Sequence, residues 1–276
     1  MSAVLPVGSG WWADSFVRSV VRCPRIGCPA ALAVLVALAL IAGCRVEVVT
    51  TASTPSSAAS AATSSTPSSP APGASGGPRH VPAGTLAPAA ASAALGRLRV
   101  ADRGSLAGYE RGCGHGEGCV FGPAWADVDH NGCDQRNDVL HRDLTGVQVR
   151  PGTHDCVVVA GTLADPYTGR VVRFVKADAA DVPIDHVVPL AAAWTEGAAS
   201  WPLARRTQFA NDLGNLMATD REQNSAKGDS TAEEWIPPNR AYDCSYATVV
   251  VTVKQRYALS VTRAEAAALT TLLHTC

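Results

Sequence analysis

The stretch Ile184-Asp185-His186-Val187-Val188-Pro189-Leu190 decides the fold of this chain, because it carries two chemically active side chains on a short apolar run. Residues Val182–Val188 have the length and composition of a strand, and Pro189 permits a helix to begin directly afterwards. Adjacent strand residues point to opposite faces, so Asp185 and His186 can meet at one site only if the backbone bends after them. The sequence predicts such a bend at the end of the strand.

The segments around this strand predict a mixed fold. Two β-rich runs, Cys156–Leu163 and Arg170–Lys176, flank the turn-forming residues Ala164–Gly169 and indicate a hairpin. Helices are expected at Asn137–Leu144 and at Ala241–Tyr257. Strand-type elements followed by helices are typical of an α+β domain.

Capping residues predict where further helices begin. Thr262 and Glu265 have the spacing of a capping box at the start of a last helix, and Ser230 and Glu233 have the same spacing. The sequence therefore predicts a helix start after Thr262, and a second capping box at Ser230.

A polar segment downstream of the strand carries candidate site residues. Asp220 is a good N-cap, so Arg221, Asn224 and Lys227 fall three apart on one helix and are expected to share a face that could meet a phosphate. Asn215 precedes this segment, and its amide can brace a neighbouring loop through hydrogen bonds to the backbone.

The amino-terminal third predicts export rather than a folded core. Residues 1–44 contain arginines, then an apolar stretch at Ala30–Gly43 that is too short to span a bilayer, as in a secretory signal. The segment ends in Leu40-Ile41-Ala42-Gly43-Cys44, which resembles a bacterial lipobox and implies a lipid anchor on Cys44; ordinary secretion is the alternative. Residues 45–94 are a Ser/Thr/Ala/Pro-rich linker predicted to be disordered, and residues 95–276 form the predicted folded domain.

The cysteines of the predicted domain form an even set in a chain bound for an oxidising compartment. Six cysteines allow 15 pairings, and their order along the chain favours three bridges. The favoured pairs are Cys113–Cys119, Cys133–Cys156 and Cys244–Cys276. A zinc site is the alternative, although no two of these cysteines have the two-residue separation of a zinc knuckle.

The charge balance argues against a simple nucleic-acid-binding protein. From Ala101 to Cys276 there are 16 Lys and Arg residues against 22 Asp and Glu residues. Any hold on a polyanion must therefore come from a local basic cluster and bound metal rather than from the field of the whole domain.

The order of several motifs resembles the actinobacterial secreted HNH endonuclease family, and is similar to the carboxyl-terminal nuclease domain of GmrSD-type restriction enzymes. The resemblance covers roughly Tyr109 to the end of the chain, and implies a ββα-metal (HNH/His-Me finger) core with an additional β-hairpin and C-terminal helices. The motifs are Phe121-Gly122-Pro123-Ala124-Trp125, Asp129-His130-Asn131-Gly132-Cys133, Arg136-Asn137, Asp165-Pro166-Tyr167-Thr168-Gly169, Ile184–Leu190, Phe209-Ala210-Asn211-Asp212, Asn215-Leu216, Asn224-Ser225-Ala226-Lys227-Gly228-Asp229 and Trp235-Ile236-Pro237-Pro238.

The resemblance implies roles for individual residues. His186 is the general base, with a pKa near neutrality, and takes a proton from water. Asn215 is the middle Asn of the motif, and Lys227 and Arg136 are expected to hold the scissile phosphate. The implied substrate is nucleic acid, DNA first and RNA as a second option, cut by a monomer that needs no protein partner.

The resemblance also implies a divalent metal held by Asp185 and Asn224. One carboxylate and one amide leave most octahedral positions for water and phosphate oxygens, which favours Mg²⁺, with Mn²⁺ and Ca²⁺ as alternatives. Asn224 stands where many members of the wider superfamily have His, which weakens any preference for zinc.

Three other interpretations remain open at the level of sequence. Asp127–Asp138 begins like an EF-hand loop, but its twelfth position is Asp138 where a bidentate Glu is expected, and an Asx-rich turn before the Asn137 helix is the favoured alternative. The domain could also be a non-catalytic envelope lipoprotein that uses the nuclease fold for binding. Finally, four tryptophans could stack on bases or pack in the core: Trp125, Trp194, Trp201 and Trp235.

Overall fold

The structure is a computed structural model that describes residues 81–276. The expected export segment 1–44 with Cys44, and the linker as far as residue 80, lie outside the described residues. Within residues 81–276 the elements are α1 (Pro88–Leu95), α2 (Gln135–Asp143), β1 (Leu144–Val149), β2 (Val158–Ala164), β3 (Val171–Val175), β4 (Ile184–His186), α3 (Leu190–Thr195), α4 (Leu203–Ala210), β5 (Leu216–Ala218), α5 (Arg221–Lys227), α6 (Asp243–Tyr257) and α7 (Arg263–Leu273). Three short 3₁₀ helices lie at Lys176–Asp181, Ala198–Ser200 and Arg240–Tyr242. Antiparallel sheets together with helices make this an α+β domain, as the sequence predicts.

The predicted hairpin is the pair β2–β3, which is antiparallel with Leu163 opposite Val172. The turn is fixed by Asp165, whose carboxylate accepts a hydrogen bond from the Thr168 backbone N–H (2.7 Å). Strand β1, which was not predicted, pairs with the other edge of β2 to complete a three-stranded sheet. Its sequence, Leu-Thr-Gly-Val-Gln-Val, is polar enough to hide the alternation of a strand.

A second small sheet contains the Asp185-His186 segment. Strands β4 and β5 are antiparallel, with Asp185 opposite Met217 and His186 opposite Leu216. The side chains of β5 alternate between two hydrophobic cores, because Met217 belongs to one core and Leu216 to the other. Helix α5 follows β5 directly and is capped by Asp220, which accepts a hydrogen bond from the Gln223 N–H (3.0 Å). The local order is therefore strand, strand, helix.

The predicted capping box at Ser230 is wrong, since residues 231–235 form a turn and no helix. The carboxylate of Glu233 binds Arg103 (2.6 Å) and accepts a hydrogen bond from Thr262 (2.5 Å) instead of reaching back to Ser230. Prolines 237 and 238 also oppose a helix here. The box at Thr262 is confirmed: its hydroxyl accepts a hydrogen bond from the Glu265 N–H (3.0 Å).

The ordered domain begins before the expected boundary at residue 95. Helix α1 lies inside the range assigned to the disordered linker, yet it packs against α6 and α7. The fully buried Ala91 and Ala94 make this contact possible, because small side chains let helices approach closely. An alanine-rich segment therefore forms a core helix here, although its composition resembles that of the linker.

A buried group of three charges joins α3 to the carboxyl-terminal helices. The Lys254 ammonium on α6 contacts Glu196, just after α3, at 2.6 Å and Glu265 on α7 at 2.8 Å. All three side chains are about 1% exposed. Burial raises the pKa of Glu196 to about 7 and also raises the pKa of Glu265, and the Lys254 charge only partly offsets this. The helix that follows the Asp185-His186 segment is thus fixed by a charged cluster in the core.

Residues 81–276 contain three disulfides, which are the pairs that cysteine order favours. They are Cys113–Cys119, Cys133–Cys156 and Cys244–Cys276. All six cysteines of the zinc alternative are therefore oxidised to disulfides. Among residues 81–276, no helix combines the length and apolar character required to cross a membrane.

Candidate active site

Asp185 is buried where β4 meets the aromatic part of the core. One carboxylate oxygen accepts a hydrogen bond from the Tyr167 hydroxyl at 2.6 Å, and the other accepts one from the Lys227 ammonium at 3.0 Å. Burial raises the pKa of Asp185, while the Lys227 charge and the hydrogen bonds from Lys227 and Tyr167 lower it in part. Tyr167 was not among the predicted site residues, because its motif was interpreted as a turn.

His186 is held in one orientation by a backbone carbonyl. Its Nε2 atom lies 2.8 Å from the carbonyl oxygen of Ala210. A carbonyl can only accept, so Nε2 carries the hydrogen and a neutral ring keeps its lone pair on Nδ1. Burial lowers the pKa of His186 to about 4, helped by the charges of Arg111 and Lys227, which corrects the expectation of a value near neutrality. The imidazole is therefore neutral at physiological pH.

A cavity of about 190 Å³ brings several predicted residues together. Asp185, His186 and Asn224 all line it. The bend predicted after β4 is what allows the first two to do so, since the chain leaves the sheet at Val187.

Asn215 stabilises this bend from inside the protein. Its backbone oxygen accepts a hydrogen bond from the Val187 N–H (2.8 Å), and its side-chain oxygen accepts one from the Val188 N–H (2.8 Å). Its amide nitrogen donates to the Val188 carbonyl (3.1 Å). Asn215 is fully buried and is absent from the cavity wall. It is a positioning residue, in keeping with the bracing role that its amide indicated.

Lys227 does not occupy the phosphate-contacting position expected from the sequence. Its side chain is fully buried, and its ammonium donates to Asp185 (3.0 Å) and to the backbone oxygen of His186 (2.8 Å). A buried ammonium that is engaged in this way cannot reach a ligand in the cavity. Lys227 instead fixes the Asp185-His186 segment and offsets the charge of the carboxylate.

The three residues predicted to share one face of α5 have separate surroundings. Arg221 is exposed and lies 3.7 Å from Asp181, Asn224 lines the cavity, and Lys227 is buried. Each step of three residues falls about 60° short of a full turn, so the first and last positions lie about 120° apart. Of these three residues, only Asn224 therefore lines this cavity.

Arg136 also lies away from the cavity. Its guanidinium donates hydrogen bonds to the backbone oxygens of Ala179 (3.0 Å) and Val182 (3.1 Å), which secures the loop before β4. Arg111 lines the cavity in its place, is exposed, and makes no hydrogen bond or ion pair with any residue that the structure describes. Nothing in the sequence around Arg111 marked it as a site residue.

The other possible cation site, at Asp127, has the geometry of a turn. The Asp127 carboxylate accepts hydrogen bonds from the backbone N–H groups of Asn131 (3.1 Å) and Gly132 (3.0 Å). Within the same loop, the side-chain oxygen of Asn131 accepts one from the Cys133 N–H (2.8 Å), which is an Asx turn. Between residues 81 and 276 no group of three or more His, Cys, Asp and Glu side chains could hold a metal. Any metal at the main cavity would thus be held by few protein ligands, as Mg²⁺ often is.

The fold and cavity define a disulfide-bonded α+β domain in which a carboxylate, a neutral imidazole, an amide and a guanidinium converge. Residues 134–272 match the family described as GmrSD restriction endonucleases, C-terminal domain, and the chain belongs to this family. An uncharacterized secreted protein of the fungus Arthroderma benhamiae is 41% identical over 203 residues, which span 72% of this chain and 92% of the relative. A fungal relative gives no support to the actinobacterial restriction that the sequence resemblance implied. No solved structure matches the chain.

Proposed function

We propose that this protein is an exported, metal-dependent endonuclease that hydrolyses phosphodiester bonds of DNA, and of RNA as a second substrate, and acts as a monomer. The single observation that carries the proposal is the convergence of Asp185, His186, Asn224 and the exposed Arg111 on one cavity. The family match to a nuclease domain supports the same chemistry. The strand–strand–helix order of β4, β5 and α5 agrees with the arrangement expected of a ββα-metal core.

His186 is the proposed general base. Its Nε2–H is committed to Ala210, so Nδ1 is the atom that accepts a proton from the attacking water. The low pKa keeps this nitrogen unprotonated in the free protein at neutral pH. The carbonyl of Ala210 prevents the ring from turning and also fixes the tautomer.

Asp185 and Asn224 fit a divalent metal such as Mg²⁺, since hard oxygen donors are what this ion prefers. A carboxylate has about four acceptor positions, and Tyr167 and Lys227 use two of those on Asp185, which leaves capacity toward the cavity. When bound, the metal would stabilise charge that develops on the phosphate and on the leaving oxygen. Mn²⁺ and Ca²⁺ satisfy the same donors.

Lys227 makes metal affinity depend on substrate. The ion pair of Lys227 with Asp185 is formally neutral, so the protein alone offers little net negative charge to a cation. A substrate phosphate supplies that charge. We therefore expect weak metal binding in the free protein and tighter binding when a nucleic acid is present.

Arg111 is the proposed phosphate-binding residue, in the role that the sequence assigned to Lys227 and Arg136. It is the arginine that lines the cavity, and a guanidinium can bind two phosphate oxygens at once. This local positive charge compensates for the acidic balance of the domain.

Export is proposed from the amino-terminal segment together with the secreted fungal relative. Cys44 is the proposed lipid anchor, with cleavage and release as the alternative. Labelling cells with a radioactive fatty acid would separate the two, because Cys44→Ser should abolish incorporation if Cys44 is lipidated.

The test of the nuclease proposal is plasmid cleavage in Mg²⁺, Mn²⁺ and Ca²⁺. His186→Ala should reduce cutting by about 10²–10⁴-fold, the usual contribution of a general base. His274→Ala, at an exposed histidine on the end of α7, is the matched control and should cut like the wild type. Absence of cutting with every metal, or an undiminished His186→Ala variant, would overturn the proposal.

A second candidate is a non-catalytic envelope-binding module, which the acidic charge balance favours. The same assay separates it from a nuclease. A binding module would retain nucleic acid or another polymer without cutting it, and Asp185→Asn would then leave binding unchanged in the presence of metal.

A further inference from the structure

A second, mostly apolar cavity adjoins the candidate active site. It has a volume of about 320 Å³, and its apolar walls include Phe121, Trp125 and Ala210. Arg111 and His186 border both this cavity and the first one. The two cavities therefore share the same cation and the same proposed base.

Trp125 differs from the other tryptophans in the described part of the chain. Trp194, Trp201 and Trp235 each pack against other aromatic rings. Trp125 makes no aromatic contact among residues 81–276, is only half-buried, and lines the apolar cavity. Trp125 also packs against the second hydrophobic core, but it is the one of these four tryptophans that lines the apolar cavity.

The wall that carries Trp125 is rigidly built. Trp125 itself has a φ of 60°, a left-handed conformation that costs a bulky residue energy and is found most often at functional sites. Gly122 has a φ of 69°, and a Cβ there would collide with the Thr207 side chain. Cys113 also lines the cavity, and its disulfide to Cys119 closes the loop that carries it.

We infer that this cavity, which we call the base cavity, receives an unpaired nucleobase next to the scissile phosphate. The inference rests on the proposed nuclease function, which places that phosphate at Arg111. An apolar cavity with an aromatic wall beside a cationic group suits a base and its phosphate, because any base can stack on an aromatic ring. The volume falls at the lower end of small-molecule sites, as a single base requires.

The base cavity implies a preference for single-stranded substrate. A base inside an intact duplex is stacked on both faces and must be unpaired before it can enter a protein cavity. A single strand offers its bases without that cost. We therefore expect single-stranded or locally opened nucleic acid to bind more tightly than an intact duplex.

The test compares the full chain with two substitutions at Trp125. Trp125→Phe keeps an aromatic ring, whereas Trp125→Leu keeps apolar volume without a ring, and both residues face the same backbone strain as tryptophan. Fluorescence anisotropy would measure binding of a short thymidine strand, its duplex with adenosine, and an abasic strand with the same phosphates. Each titration contains a chelator, so that no strand is cut, and is carried out at a fixed salt concentration.

The wild type should bind the thymidine strand roughly 5- to 150-fold more tightly than the abasic strand, which is the range for stacking of one base on an aromatic side chain. Trp125→Leu should bind the two strands with about equal affinity, whereas Trp125→Phe should retain most of the preference for the thymidine strand. Equal binding of the two strands by the wild type would overturn the inference. So would a Trp125→Leu variant that weakens both strands by the same factor, because this would indicate a purely structural role.

The result separates this inference from the nuclease proposal, because binding is measured without cleavage. Plasmid cutting without base-dependent binding would overturn the base cavity alone. Base-dependent binding that requires Trp125, together with a failure to cut plasmid in the presence of any of the metals tested, would overturn the nuclease proposal alone. Thermal unfolding of both variants verifies that they are folded.

Discussion

Replacing Lys254 by methionine should destabilise the protein by an amount that depends on pH. Lys254 is the only cation in contact with the two buried carboxyl groups of Glu196 and Glu265 among the residues that the structure describes. Methionine keeps most of the apolar stem and removes the charge. The variant would therefore have to bury two carboxylates without a cation, or keep both of them protonated.

The cost of keeping both carboxyl groups protonated sets the size of the stability loss in Lys254→Met. Keeping Glu265 protonated at pH 7, when its ordinary pKa is 4.5, costs about 3–4 kcal/mol at about 1.4 kcal/mol per pH unit. Glu196 adds little at this pH, because its pKa is already raised to about 7 in the wild type. The result lies within the range of about 3–5 kcal/mol found when one partner of a buried ion pair is removed.

The direction of the pH dependence follows from proton binding. Between the ordinary pKa of 4.5 and about pH 7, the folded state holds a proton on Glu196 that the unfolded state has released, and the raised pKa of Glu265 acts in the same direction. Their contribution to wild-type stability therefore decreases as the pH rises through this window. In Lys254→Met the same decrease should be steeper, because no ammonium remains to favour the ionised forms. At pH 5 the variant should lose only about 1 kcal/mol, since protonation then costs little.

The assay is urea unfolding at pH 5 and pH 7 without reductant, so that the disulfides remain intact. Lys176→Met is the matched control, because Lys176 is exposed and a surface substitution should change stability by no more than about 0.5 kcal/mol. A loss for Lys254→Met that is equal at both pH values would refute the reasoning, since lost packing rather than carboxylate burial would then explain it.

Three further predictions concern the site and its support. Asn215→Leu leaves the backbone N–H and carbonyl of Val188 without their partners, so urea unfolding should show a loss of about 2–5 kcal/mol and plasmid cutting should fall with it; a variant as stable as the wild type would contradict the bracing role. Lys227→Met leaves the Asp185 carboxylate buried without a cation and should cost about 3–5 kcal/mol in the same assay, whereas a surface phosphate-binding lysine would cost almost nothing. The double substitution Cys244→Ala with Cys276→Ala opens a loop of 32 residues and should cost about 3–4 kcal/mol, and a melting temperature equal to that of the wild type would show that the unfolded chain gains no freedom.

Local sequence patterns anticipated the elements whose signals lie within a few residues. The β2–β3 hairpin followed from two β-rich runs around a turn, and the start of α7 followed from Thr262 and Glu265. Helix α1 and strand β1 were missed, because an alanine-rich helix resembles a linker and a polar strand with a glycine lacks clear alternation. In both cases packing against distant elements stabilises what local preference alone would not.

The sequence by itself determined that Asp185 and His186 follow one another at the end of a strand, that the chain must bend after them, and that Asn215 and Asn224 come later in a fixed order. These properties depend on residue type and spacing, which a linear sequence contains. Only the tertiary structure decided which cations face the ligand: Lys227 is buried against Asp185, Arg136 is bound to backbone oxygens, and Arg111 lines the cavity. The reason is physical, because the direction of a long side chain is set by the charges and carbonyl groups that surround it after folding, and these come from distant parts of the chain.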